Sequence, residues 1–539
     1  MSFTSSVHTS SEPFQQNRSE MLGLVEQLRA LEQQAIDASN KRRATFVKRG
    51  QLTPNERLAR LLDPGMPLLR LHTLANYLYE DDNPETSLPG GSIIAGIGFV
   101  SGVRSMIWVD DSGIRAGAMT QGGADASLSI QKMALNLKLP LIHLVESAGA
   151  NLMGYRVEGW ALGGMIFRNL ARLSAAGIPT MVVLHGPSTA GGAYMPGMSD
   201  YVVGVKHNGL AALGGAALVQ AATGEIADDR QLGGTEMHAT VSGLVEYLAE
   251  DDAHGIDIMR KAVDRLGWNK GFTNPLRRPF AEPLYDPEEL AGAIPIDYRV
   301  PYDVREILLR IVDGSEFEDF KPGYGVSTVC CRADIMGFSC GVIGNNGPID
   351  PDGANKVTQF IQLCDQADLP MIFLNNTTGY MVGTKYEQAG MVKHGSKMIQ
   401  AVANARMAKI ALYVGASFGA GNYGMCGYGY EPDFLLTWPN ARTGVMGGTQ
   451  AARTMSQVAR VRAERLGQEL DTEQLQLQEQ GIEAHFSKQE SAFYTSGRVL
   501  DHGMIDPRDT RKCLGFALET CLEARGRNLR PNSFGVARV

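Results

Sequence analysis

The sequence lacks any excess of basic residues. Its 50 Lys and Arg are outnumbered by 58 Asp and Glu, a formal net charge of −8. That disfavours the basic footprint of nonspecific nucleic-acid binding, though a local basic pocket for phosphate stays open. Cysteine is scarce, 7 in 539 residues, too sparse for a disulfide scaffold. The spacings fit no zinc motif either, since Cys330 and Cys331 are adjacent and the others are scattered. Buried free thiols in a reducing compartment are expected. No apolar run approaches the roughly 20 residues of a membrane helix. The opening stretch MSFTSSVHTSSEPFQQNRSEM has no basic segment followed by an apolar one, and no Arg-rich transit pattern. A cytoplasmic protein with no membrane partner is expected. No GxxxxGK[ST] motif and no strand–GxGxxG–helix context occurs, so ATP or NAD use by this chain is not expected, nor is a metal.

What is present is glycine, 62 residues without a fixed period, in a chain 44% hydrophobic and 20% charged. Collagen and wholesale disorder are both excluded. The length allows three to five small domains or two large ones. A long internal repeat favours two. LPLIHLVESAG (139–149) and LPMIFLNNTTG (369–379) lie 230 residues apart, and PTMVVLHGPSTAGGAY (179–194) and AKIALYVGASFGAGNY (408–423) lie 229 apart. NERLARLLDPG (55–65) echoes VREILLRIVDG (304–314), pairing Arg60 with Arg310 and Asp63 with Asp313, and LGG (213–215) echoes MGG (446–448). Four blocks in one order indicate a duplicated α/β domain. Each copy reads as strand, loop, helix, strand, Gly-rich loop, helix. Helices are predicted at 128–139, 164–177 and 357–369, and a charged helical segment at 449–486 forms a solvated excursion or a subunit contact. The expected division is a helical arm over 1–50, an N-terminal domain over 51–290 and a C-terminal domain over 291–539.

The loops STAGGAY and SFGAGNY are the candidate chemistry. Small residues let backbone N–H groups approach a ligand, and two successive donors at a helix start suit an anion. The alternative for each loop is tight helix–strand packing, which recurrence at equivalent places makes less attractive. Gly415-Ala416-Ser417-Phe418-Gly419 matches G-x-S-x-G, but its counterpart ends in Ala190, so a Ser417 nucleophile is not favoured.

TPNERLARLLDPG (53–65), GPSTAGGAYMPGMSD (186–200), AATGEIADDRQLGG (221–234), YRVPYDVREILLRIVDGSEFEDF (298–320), GASFGAGNYGMCG (415–427) and WPNARTGVMGG (438–448) resemble the carboxyltransferase β subunits of biotin-dependent acyl-CoA carboxylases, in the methylcrotonyl-CoA branch. The resemblance runs from about residue 50 to the C-terminus. It implies two tandem crotonase-like (ClpP/crotonase superfamily) domains of α/β class. It implies a β hexamer within a larger assembly, and an α partner with biotin carboxylase and biotinyl domains. Biotin would arrive on that partner as carboxybiotin, since this chain has no AMKM segment for attached biotin. The family's active site lies between the N domain of one subunit and the C domain of another. Of the candidate catalytic residues, Ala190, Gly191 and Gly192 would hold the acyl-CoA thioester oxygen. Gly419, Ala420 and Gly421 would hold the biotin ureido oxygen.

The chain departs from the methylcrotonyl pattern after the first loop. Where that type has roughly G-x-[IV]-F-L-A-G-P-P-L, this chain reads Gly209-Leu210-Ala211-Ala212-Leu213-Gly214-Gly215-Ala216-Ala217-Leu218. Ala212, Gly214 and Gly215 become candidate substrate-binding residues. Loss of an aromatic at 212 suggests a longer acyl pocket and hence geranyl-CoA in acyclic terpene breakdown. Alternatives are 3-methylcrotonyl-CoA in leucine breakdown, a decarboxylase role, or a catalytically silent scaffold. A second departure, NNGPIDPDGANKVTQF (345–360), leaves Lys356 as a phosphate or carboxylate contact or, preferably, a solvated helix start.

Overall fold

The computed structural model describes residues 3–149, 156–467 and 471–536. It resolves into two compact units. One comprises Arg29–Pro275, Gly497–Val499 and the chain from Glu523 onward; the other comprises the chain up to Leu28, Leu276–Ser496 and Leu500–Leu522.

Each unit is built on an eight-stranded mixed sheet. In the first, β1 (Leu69–Leu71), β2 (Ile93–Val100), β3 (Val103–Asp110), β4 (Leu141–Ser147), β5 (Thr180–Thr189), β6 (Tyr201–Val205) and β8 (Tyr247–Ala249) lie side by side, with β7 (Leu210–Ala212) on β5. The second repeats the plan. β9 (Phe317–Asp319), β10 (Thr328–Ile335), β11 (Phe338–Asn345), β12 (Met371–Thr377), β13 (Lys409–Phe418), β14 (Phe434–Thr437) and β16 (Gly503–Met504) form the row, with β15 (Arg442–Gly444) on β13. β1–β3 and β9–β11 pair antiparallel; from β3 and β11 onward the pairing is parallel. Parallel strands covered on both faces need continuous apolar runs. β12 is buried along its whole length, and β4 everywhere except Ser147.

Matching aspartates fasten the antiparallel corner of both sheets. Asp63 accepts from Ser101 N–H (2.9 Å) and Gly102 N–H (2.7 Å) at the β2–β3 turn. Asp313 accepts from Met336 and Gly337 N–H, both at 2.8 Å, at the β10–β11 turn. Each is joined by an arginine at 2.7 Å, Arg260 and Arg511 respectively.

The helices before β4 and β12 span Gln121–Asn136 and Pro351–Gln366. They start earlier than the apolar spacing at 128–139 and 357–369 suggests. Thr120 and Asp350 accept from the third N–H of each helix, and Pro351 occupies a position that needs no donor. The helix expected at 164–177 runs Val157–Ala175 and stops before Gly177 (φ 81°). The charged helical segment expected at 449–486 contains two helices, Gly448–Leu466 and Thr472–Glu490. Gly467 ends the first in a left-handed turn and Asp471 caps the second; 468–470 lie outside the described residues. Six of the seven cysteines are buried and Cys513 is partly exposed. Among the described residues no helix is long and apolar enough to cross a membrane.

Candidate active site

The two Gly-rich turns have the same backbone. Thr189 (φ −112°, ψ 163°) and Phe418 (φ −111°, ψ 151°) end β5 and β13 in extended conformation. The next residue is left-handed in both, Ala190 at φ 54° and Gly419 at φ 55°. That conformation costs a residue with a Cβ and is free for glycine. A helical turn follows at once, Ala190–Ala193 running into Tyr194–Met198 in the first unit and Gly419–Gly424 in the second. The first N–H groups of such turns have no carbonyl behind them. Gly191 and Ala420 are exposed, so the start of each turn is open. Gly192 and Gly421 are packed closer. A Cβ on Gly192 would stand 2.8 Å from Ser188 Oγ, and one on Gly421 would stand 2.8 Å from Gly379 Cα. Phe167 lies beneath the first turn, edge-on to Tyr194 with ring centroids 5.6 Å apart.

The other predicted residues divide. Ala212 pairs in register with Thr189, the residue just before Ala190, and is buried against Gly233. Gly215 caps the helix Ala216–Thr223, and Gly214 packs on Leu218 of that helix. The structure therefore brings Ala212 beside the first loop, while Gly214 and Gly215 start the next helix. Close by, His238 Nε2 lies 2.7 Å from Ala211 O and Nδ1 lies 2.6 Å from Ser242 Oγ. A carbonyl only accepts, so the Nε2 proton is fixed and Nδ1 is left to the serine. Lys356 is not a solvated helix start. It is 1% exposed, its ammonium 3.4 Å from Lys321 O, and burial holds its pKa below the usual lysine range.

Sequence reasoning missed what lies behind the turns. In the first unit it is a charged cluster. Arg57, 1% exposed, donates to Glu146 (2.6 Å) and Asp252 (2.8 Å). Leu52 N–H donates to Asp252 at 2.9 Å, and His185 Nδ1 lies 2.9 Å from that carboxylate. Burial opposes the charge on Asp252, but His185, Arg57 and the Leu52 N–H outweigh it and hold its pKa at about 2. Glu146 occupies the space a side chain on Gly186 would need, 2.5 Å from its Cβ position.

In the second unit the cluster is neutral. Ser417 Oγ donates to Asn375 Oδ1 (2.9 Å), and the Asn422 amide donates to Ser417 Oγ (2.8 Å) and Tyr413 Oη (2.9 Å). Asn375 donates to Met425 O at 3.0 Å, and Tyr428 N–H to Tyr413 Oη at 3.3 Å. Burial, against the Asn422 and Tyr428 donors, pushes the Tyr413 phenol up to about 12. The signal was in the quoted repeat, where VESAG faces NNTTG and GGAY faces AGNY.

A carboxyl transferase domain matches residues 46–534, most of the chain. The chain belongs to the carboxyl transferase family of biotin-dependent acyl-CoA carboxylases. It is 46% identical, over 91% of both chains, to a probable biotin-dependent acyl-coenzyme A carboxylase beta2 subunit of Mycobacterium tuberculosis. It is 40% identical to the mitochondrial methylcrotonoyl-CoA carboxylase beta chain of Arabidopsis thaliana, over 99% of this chain and 91% of that one. The crystal structure of the P. aeruginosa geranyl-CoA carboxylase beta subunit matches with a TM-score of 0.93 and 48% identity, over the whole of both chains. The two eight-stranded units are thus the crotonase-like pair of a carboxyltransferase, and the chain is the component that forms the carbon–carbon bond.

Proposed function

We propose that this chain is the carboxyltransferase subunit of a geranyl-CoA carboxylase, adding a carboxyl group at the γ carbon of a branched 2-enoyl thioester. The observation that carries the proposal is one turn, left-handed at its first residue and running into a helical turn, repeated at equivalent places of a duplicated fold. Full-length likeness to a geranyl-CoA carboxylase beta subunit supports the choice of acyl chain, as does Ala212 beside the first turn.

The proposed division of work follows from the donors. Backbone N–H groups suit a thioester oxygen that gains charge, each worth roughly 2.7–4 kcal/mol. In a branched 2-enoyl thioester, charge from a lost γ proton delocalises through the alkene to that oxygen. Gly191 and Gly192, with Ala190, hold it there. Gly419, Ala420 and Gly421 form a second donor set, which fits a ureido oxygen because it offers N–H groups. Biotin, carried by a partner α subunit, supplies the carboxyl group and then the base. No side chain of the chain is needed as general base. A β hexamer in the cytoplasm, without metal or ATP bound to this chain, completes the proposal.

The second reading is 3-methylcrotonyl-CoA as substrate, favoured by the likeness to the methylcrotonoyl-CoA carboxylase beta chain over 99% of this chain. Calorimetric titration with both thioesters decides. Tenfold or greater preference for geranyl-CoA is expected, and Ala212→Phe should reverse it. Preference of the parent chain for 3-methylcrotonyl-CoA would overturn the geranyl assignment.

A further inference from the structure

The turns at Ala190 and Gly419 share a backbone but not its support. In the second unit, three side chains hold Ser417 and the turn above it. Asn375 is on β12, Tyr413 on β13, and Asn422 within the turn itself. Their counterparts in the first unit are Val145, Leu184 and Ala193, all without a polar side-chain atom. The serine alone survives there. Ser188 Oγ is fully buried, and among the described residues it has no hydrogen-bond partner. The same strand register, Ser147 with Ser188 and Thr377 with Ser417, confirms that the positions correspond.

Asn422 is the hub. Its side-chain amide spends both protons inward, on Ser417 and Tyr413, while its backbone carbonyl accepts from Gly427 N–H at 2.9 Å. Its side chain also fills the place where a Cβ on Gly427 would sit, so that residue must be glycine although its φ of −67° is ordinary. Ser417 cannot drift, because it is bonded to β12 through Asn375. The turn Gly419–Gly424 is thereby tied at both ends to the strands beneath it. Fixed donors stabilise developing charge better than donors that must first be ordered.

We propose that Asn422 is a positioning residue for the second turn, holding the N–H groups of Gly419, Ala420 and Gly421 in the geometry that receives the ureido oxygen. Among the described residues the first turn has no such side-chain hydrogen bonds, and it packs against Phe167. The inference rests on the assignment of the second turn to biotin.

The test uses the full chain with its biotin-bearing partner, and separately carboxyl transfer between the carboxylated thioester and free biotin. Asn422→Ala is expected to lower kcat ten- to a hundredfold, to raise the KM for free biotin, and to leave the KM for acyl-CoA within twofold. Tyr413→Phe, which keeps the ring and removes one acceptor, should lose a few-fold. Ser417→Ala combined with Asn422→Ala should cost little more than Asn422→Ala alone, because both cut one chain of bonds. A folded Asn422→Ala enzyme with parental kcat, or one whose acyl-CoA KM rises as much as its biotin KM, overturns the proposal. If Asn422→Ala does not fold, parental kcat and biotin KM in folded Tyr413→Phe overturn it. Ala420→Val separates the two layers: full activity there removes the biotin assignment and this inference with it, whereas an inactive Ala420→Val beside a fully active Asn422→Ala removes the positioning role alone.

Discussion

Asp110 and Glu146 stand at the ends of β3 and β4; Asn345 and Asn376 stand at the same places on β11 and β12. The bond between them is the same in both units. Asp110 accepts from Glu146 N–H at 3.1 Å, and Asn345 Oδ1 accepts from Asn376 N–H at 3.4 Å. Gly186 leaves room for Glu146 as Gly415 leaves room for Asn376. One backbone plan therefore accommodates either two carboxylates or two amides, and the surroundings follow the choice. The carboxylate unit buries Arg57 from the helix Pro54–Leu61, where the amide unit has Ile307 in Arg305–Ile311. The neighbouring pair reverses this. Arg60 is exposed beside Asp257, while Arg310 is fully buried between Glu306 and Glu289. Duplication has kept the strand register and the turn. The buried arginine stands at a different place in each half, beside carboxylates in both, because an unpaired buried ion is far more costly than a paired one.

The comparison of the two turns breaks most visibly in catalysis. Ala420→Val should reduce carboxyl transfer by about a thousandfold or more, the scale expected when oxyanion donors are blocked, yet leave acyl-CoA affinity within twofold. Gly191→Val should instead weaken the acyl-CoA side. Steady-state transfer together with thioester titration distinguishes the two, and equal loss of thioester affinity in both variants would erase the division of work.

The charged cluster predicts the next largest effect. Arg57→Met leaves Glu146 and Asp252 buried without their guanidinium and should cost about 3–5 kcal/mol in denaturant unfolding. Adding Glu146→Gln and Asp252→Asn should recover most of it. The same cluster makes the first unit sensitive to acid. The Asp252 pKa falls from 3.8 to about 2. Its stabilisation is present above the unfolded value, is lost as pH falls toward 2, and amounts to about 2 kcal/mol.

The smallest effect should come from carrying the first unit's chemistry into the second. Asn376→Asp is nearly isosteric but puts a carboxyl beside Asn345 with no arginine at the Ile307 position. Burial raises the folded pKa of such a group, so the loss should be slight near pH 4 and grow to about 1–3 kcal/mol by pH 8. Unfolding midpoints across that range give the slope. A pH-independent loss would mean that packing, and not charge, separates the two units here.

Much of this is legible in the chain alone. The 229- and 230-residue offsets located both sheets and both turns, because backbone conformation at a tight turn demands small residues at fixed places. Gly421 can carry no side chain against Gly379, and Gly419 sits at positive φ. Lys356 was misread because an amphipathic helix start looks alike whether solvent or another strand covers it. The end of a helix at Gly467 is hidden in the sequence because the charge pattern runs through it.

The sequence by itself determined the duplicated α/β plan, the two turns and the family, since each depends on local pattern and composition. Only the tertiary structure decided which of the repeated positions carry charge to a partner, that Ser188 is orphaned while Ser417 is bonded, and that Asn422 ties its turn to Tyr413. Those outcomes depend on which strands lie side by side, and a buried polar atom is satisfied or left unpaired only by what the fold brings within about 3 Å of it.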